Sequence, residues 1–124
     1  MEGGIDFYCN GLSLHVNKRL SPTWTELGGA DIPVFLLAPR SMEVDLGTLK
    51  AQRTWERHWT PVHLDFVVEN IAESVDRALR KGGTLSRPMK TREYGRIANM
   101  ADPFGNGFDL IEFDGNAYEA VDRK

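Results

Sequence analysis

The sequence predicts an α+β fold built from two βαβββ units, the first without its opening strand. Three observations predict it. Residues 61–116 run as strand, capped helix and three further strands. Residues 1–40 repeat that order, starting partway through the helix. Residues 41–60 are polar and charged, as a connector between two units would be, and 117–124 form a short tail of a single domain.

In the second unit, "VHLDFVV" (62–68) alternates and is rich in β-branched residues, which predicts a strand. Asn70 with Glu73 three residues on is a capping-box pattern, and it predicts a helix over 71–81. Ile71, Val75, Ala78 and Leu79 make its apolar stripe, and Gly82-Gly83 ends it. "TLSRP", "YGRIANMA" and "GFDLIEF" are the three strands that follow, the last entered through the turn "DPFGN".

The first unit opens with Ile5, Tyr8 and Cys9 on one helical face and Gly11 as the stop. "GIDFYCNGLSLHV" lies over "SVDRALRKGGTLS", and "TWTELGGADIPVFLLAP" lies over "GRIANMADPFGNGFDLIEF". Self-similarity at this scale marks two copies of one supersecondary unit.

The chain has 124 residues, room for one ordinary core. Its net charge of −3, with no basic run, gives no sign of a nucleic-acid or acidic-membrane partner. "IPVFLLAP" is the longest apolar stretch and far shorter than a membrane span. One cysteine excludes an internal disulfide framework and fits a reducing cytoplasm. Cys9 itself reads as a small buried hydrophobe.

The doubled βαβββ order, with "FYCNGLSL" early, "HLDFVV" opening the second copy and "DPFGNGFDLIEF" closing it, resembles the vicinal-oxygen-chelate superfamily over residues 4–114. That group holds glyoxalase I, bleomycin- and fosfomycin-resistance proteins and extradiol dioxygenases. The tail of the pattern is most like short bacterial members whose reaction is unassigned. The resemblance implies two sheets curved around a shared cavity, and in the enzymes a divalent metal held from the first and last strands of each unit. Carried over by position, the second unit offers His63 and Asp109, where the family usually has Glu. The first unit offers Leu36, which cannot donate, and lacks the strand that would supply the fourth ligand. A complete metal site is therefore not expected, although a divalent metal on His63 and Asp109 is the alternative.

Strand alternation places Leu64, Phe66 and Val68 against the helix and His63, Asp65 and Val67 on the other face. Phe108 and Leu110 share the helix side, so Asp109 and Ile111 face with His63; by the same reasoning Val34 and Leu36 face inward and Phe35 and Leu37 face the first helix. Asp65 lies roughly 7 Å along the strand from His63, too far for easy joint ligation. The expected ligand-binding residues are His63, Asp65, Asp109 and Leu36, with Trp55 and Trp59 able to stack at the cavity mouth. His15 reads as solvent-facing, and His58 would reach a site only if its loop folded inward. The faces of Tyr94 and Arg96 are left open by the pattern. The "GNG" of 105–107 leads into a strand, so a phosphate loop is excluded.

These residues support a small-molecule binding protein of the bleomycin-resistance kind, without turnover. The alternative is a metal-dependent lyase, isomerase or dioxygenase, and a third reading is a degenerate unit serving as a pairing surface. The bare sheet edge of the first unit predicts a homodimer.

Overall fold

The computed structural model describes residues 1–39, 41–58, 60 and 62–115. Helix α1 (Glu2–Asp6) widens into a π turn over Phe7–Gly11, ending at the glycine stop the sequence predicts. Three strands follow, β1 (His15–Ser21), β2 (Trp24–Gly28) and β3 (Val34–Leu37), in an antiparallel sheet of that order. The stretch expected to be a plain connector carries a hairpin, β4 (Glu43–Asp45) with β5 (Lys50–Gln52). The second unit then runs β6 (Leu64–Val67), α2 (Ile71–Arg80), β7 (Thr84–Leu85), β8 (Lys90–Arg92), β9 (Gly95–Ala101) and β10 (Gly107–Phe113). Its sheet has the order β6-β10-β9-β7, with β8 on the same edge of β9 as β7. The sequence reading lacked β8.

The two sheets correspond strand for strand, with β7 and β8 together in the place of β1. They differ at one edge. In the second unit β6 runs parallel to β10, pairing Leu64 with Phe108 and Phe66 with Leu110. Among the described residues no strand pairs with the equivalent edge of β3.

One core serves both units. Phe7, Tyr8, Leu14 and Leu27 from the first meet Ile71, Ala78, Ala98, Met100, Phe108 and Leu110 from the second. Phe7 stacks edge-on against Tyr8 and Phe108, and Phe66 does the same to Phe108. In α2 the buried stripe is Ile71, Ser74 and Ala78 with Val75 part-buried; Leu79, expected in it, is exposed. Leu64, opposite Phe108, keeps to the expected face but is exposed there, while Phe66 and Val68 pack on the core as expected.

The faces of β3 reverse the sequence expectation. Val34 and Leu36 pair with the buried Leu27 and Thr25 and pack on the core. Phe35 and Leu37 point outward, 45% and 72% exposed. The cause is the connection. Between the buried pair Leu27 and Val34 the chain is one residue shorter than between Met100 and Phe108. With a side-chain period of two, one residue flips every face.

Helix α2 is fixed at its start by two acceptors. The Asn70 side chain accepts from the Glu73 amide at 3.2 Å, as the capping pattern predicts. Glu112, on the neighbouring strand, accepts from the Ile71 amide at 2.7 Å and from Arg96 Nε at 3.1 Å. The amide bond and then Arg96 hold the Glu112 carboxyl below its ordinary value. A carboxyl depressed in the folded state contributes stability above the ordinary range, lost as pH falls through the folded value. Glu112→Gln should therefore flatten the fall in thermal stability between about pH 5 and pH 3, relative to the parent. An unchanged acid profile in melting experiments would show that Glu112 is not among the groups that set it.

Candidate functional site

Parallel pairing of β6 with β10 puts Asp65 directly beside Asp109, and antiparallel pairing puts Asn99 beside Asp109 on the other side. Residues opposite one another share a face, so the three side chains form a row. Ser86, whose amide donates to the Asn99 carbonyl at 2.8 Å, extends that row to the far edge. The result is a polar stripe across β6, β10 and β9, extended by Ser86 just past the end of β7, on the face away from α2.

His63 stands at the acidic end of the stripe. Its Nε2 lies 3.2 Å from Asp65 Oδ1 and 3.4 Å from Asp109 Oδ2. The sequence estimate held Asp65 too distant. His63 precedes the first residue of β6, so the pleat does not hold it and the side chains converge. Asn99 Nδ2 donates to Asp109 Oδ1 at 2.8 Å, which orients that carboxylate and leaves its second oxygen toward His63. Asp109 is the more sheltered of these two carboxylates, its side chain 14% exposed against 51% for Asp65.

The donor atoms of His63, Asp65 and Asp109 all lie within 4.8 Å of one another. A divalent cation about 2.1 Å from an imidazole nitrogen and a carboxylate oxygen holds those atoms about 3.0–3.4 Å apart, depending on the coordination angle. The two His63 distances match that range, so the residues present fit such an ion. An ion bound there would polarise a ligand oxygen.

Asp109 and His63 line a cavity of about 400 Å3, with Arg57, His58, Ser86, Arg87 and Asn99 also on its wall. The connector does fold inward, which is the condition under which His58 reaches the site. His58 donates its amide to the Gly105 carbonyl at 3.2 Å, and its Nε2 lies 3.1 Å from Asn106 Oδ1. Gly105, at φ +84, accepts this contact because a Cβ there would collide with the Glu56 carbonyl.

Leu36 and Trp55 line a different cavity, of about 580 Å3. It lies beside β3, between Leu36, Leu37 and Ala38 and the residues Leu64 and Phe104, with Trp55 edge-on to Phe104 at 5.8 Å. The expected site residues are thus divided between two cavities, and Trp59 lies outside the described residues. His15 is exposed with its ring over Gly28, Tyr94 packs edge-on to Phe113, and Arg96 serves the helix cap. Cys9 packs part-buried on the core, and burial pushes its thiol up. Sequence reasoning missed Arg57, Arg87 and Asn99. For Asn99 a signal existed, since its position in "RIANM" follows once the register with "GFDLIEF" is known.

The family model described as a glyoxalase-like domain matches residues 2–111. The chain belongs to this glyoxalase-like family. The curated anthracycline biosynthesis protein DnrV of Streptomyces peucetius is 32% identical over 95 residues, 75% of this chain, and the chain spans 32% of that protein's length. A glyoxalase-related enzyme of Fulvimarina pelagi matches with a TM-score of 0.68 at 20% identity, over 90% of this chain and 79% of that one. TnmS3, an antibiotic binding protein from Streptomyces sp. CB03234, matches with a TM-score of 0.60 at 22% identity, over 91% and 86%. The structural likenesses show the glyoxalase fold. Among the described residues no helix is long and apolar enough to cross a membrane.

Proposed function

We propose that this glyoxalase-like chain binds a small organic molecule on the polar face of the second unit, without turnover. The observation that carries the reading is the convergence of His63, Asn99 and Asp109 on one cavity of about 400 Å3. That size suits a small-molecule site, and the polar side chains on its wall are of the kind that fix a ligand's orientation. An antibiotic binding protein and an anthracycline biosynthesis protein among the similar proteins support an organic ligand. Asp65 joins the polar wall through His63. Leu36 and Trp55, in the second cavity, are proposed as its apolar neighbours.

One observation favours a second reading, a metal-dependent lyase, isomerase or dioxygenase. It is the spacing of His63 Nε2 from the two carboxylates, which suits an ion as well as it suits a hydrogen-bonded histidine. Both readings depend on His63, and one variant separates them. On the binding reading, chemical-shift mapping with a panel of aromatic polyketides and oxygenated acids gives perturbations around His63, Asn99 and Asp109. His63→Ala weakens binding about tenfold and costs less than about 1 kcal/mol of stability, since it truncates a surface-reaching side chain. The purified protein contains well under one equivalent of Zn, Ni, Mn or Fe. One equivalent that disappears in His63→Ala would establish the metal reading instead, and a stability loss of several kcal/mol would make His63 structural.

The chain is also proposed to form a homodimer, with the second copy against the edge of β3 that no strand among the described residues pairs with, where the outward Phe35 and Leu37 invite pairing. Sedimentation equilibrium should give twice the monomer mass at micromolar concentration. A monomer persisting at high concentration contradicts it.

A further inference from the structure

We propose that the ligand of the 400 Å3 cavity carries an anionic group, a carboxylate, phosphonate or phosphate, and that Arg57 and Arg87 receive it. The proposal rests on the reading of this cavity as a ligand site and adds the chemical class of what enters it.

The polar stripe changes character from one end to the other. At β6 and β10 it presents Asp65 and Asp109 with His63. Just past β7 it ends in Ser86, and the next residue is Arg87, both on the cavity wall. Arg57 reaches the same wall from the connector. Asp109, on the same wall, accepts from Asn99 Nδ2 at 2.8 Å and lies 3.4 Å from His63. Two guanidinium groups on one small cavity suit oxyanions, because their N–H donors match two oxygens of the same group. Ser86 adds a hydroxyl donor beside them.

Arg57 is placed there by the fold. Its guanidinium lies over Gly107, where a Cβ would collide with it. The backbone behind it is tied to the "DPFGN" turn, through the His58 amide on Gly105 and the His58 ring on Asn106. A side chain seated in a glycine notch beside a tethered backbone loses less freedom on binding than one on an open loop. The sequence features that no earlier role absorbed, "ERH" in the connector and "GNG" after the turn, thereby acquire one purpose.

The test uses phenylphosphonate and benzamide, matched in ring and differing in charge, titrated into the full chain and followed by calorimetry and chemical-shift mapping. Phenylphosphonate is expected to shift Ser86, Asn99 and Gly107, to bind about tenfold or more tightly than benzamide, and to weaken with added salt. Arg87→Ala, at an exposed position outside the core, should weaken phenylphosphonate about tenfold and leave benzamide unchanged. Arg57→Ala should do the same, with Arg57→Lys recovering only part. Equal affinity for the two probes, or phenylphosphonate binding unaffected by either alanine variant, overturns the anion assignment while leaving a ligand cavity in place. Failure of both probes to perturb this face overturns the assignment and counts against the cavity itself.

Discussion

The carboxylate of Asp102 is the joint on which the molecule depends. It is 4% exposed and would be costly to bury without partners. It has four: the Tyr8 hydroxyl at 2.9 Å, the amides of Phe104 and Asn106 at 2.9 Å each, and Asn106 Nδ2 at 2.8 Å. The three contacts from within "DPFGN" fold the turn that leads into β10. The Tyr8 contact ties that turn to the opening helix of the first unit, 94 residues away. Burial and the adjacent Asp102 both push the Tyr8 phenol up, so it stays a neutral donor.

From this joint the arrangement extends to the candidate site. Asn106 gives its amide hydrogens to Asp102, which leaves its carbonyl oxygen for the His58 ring. His58 brings the connector over the sheet, and Arg57 with it. On the other side of the turn, β10 carries Asp109 into the row between Asp65 and Asn99. A single buried carboxylate thus positions the connector and the strand that form two walls of one cavity. The same turn borders the second cavity through Asp102, Phe104 and Asn106.

What the sequence revealed follows where local chemistry is strong. The capped helix, the order of strand, helix and strands, and the shared face of Asp65 and Asp109 rest on caps and periodicity, and the structure keeps them with β8 added. The resemblance to vicinal-oxygen-chelate proteins stands, since the family match covers residues 2–111. The failures have one physical type. The face of Leu36 turned on the length of a connection, and a single residue there inverts a strand. The closeness of Asp65 to His63 turned on where β6 begins, because the rise per residue applies only inside the pleat. Arg57, Arg87 and His58 became visible only through long-range contacts that no local pattern encodes.

The most direct measurement of this account is a double-mutant cycle on Tyr8→Phe and Asp102→Asn, read by urea denaturation. Each single variant removes one side of a buried, charge-assisted hydrogen bond between the units. The account predicts a coupling energy of about 1.5–3 kcal/mol, within the range for such bonds. Coupling indistinguishable from zero would contradict it: the two side chains would merely be neighbours, and the joint between the units would lie elsewhere in the core.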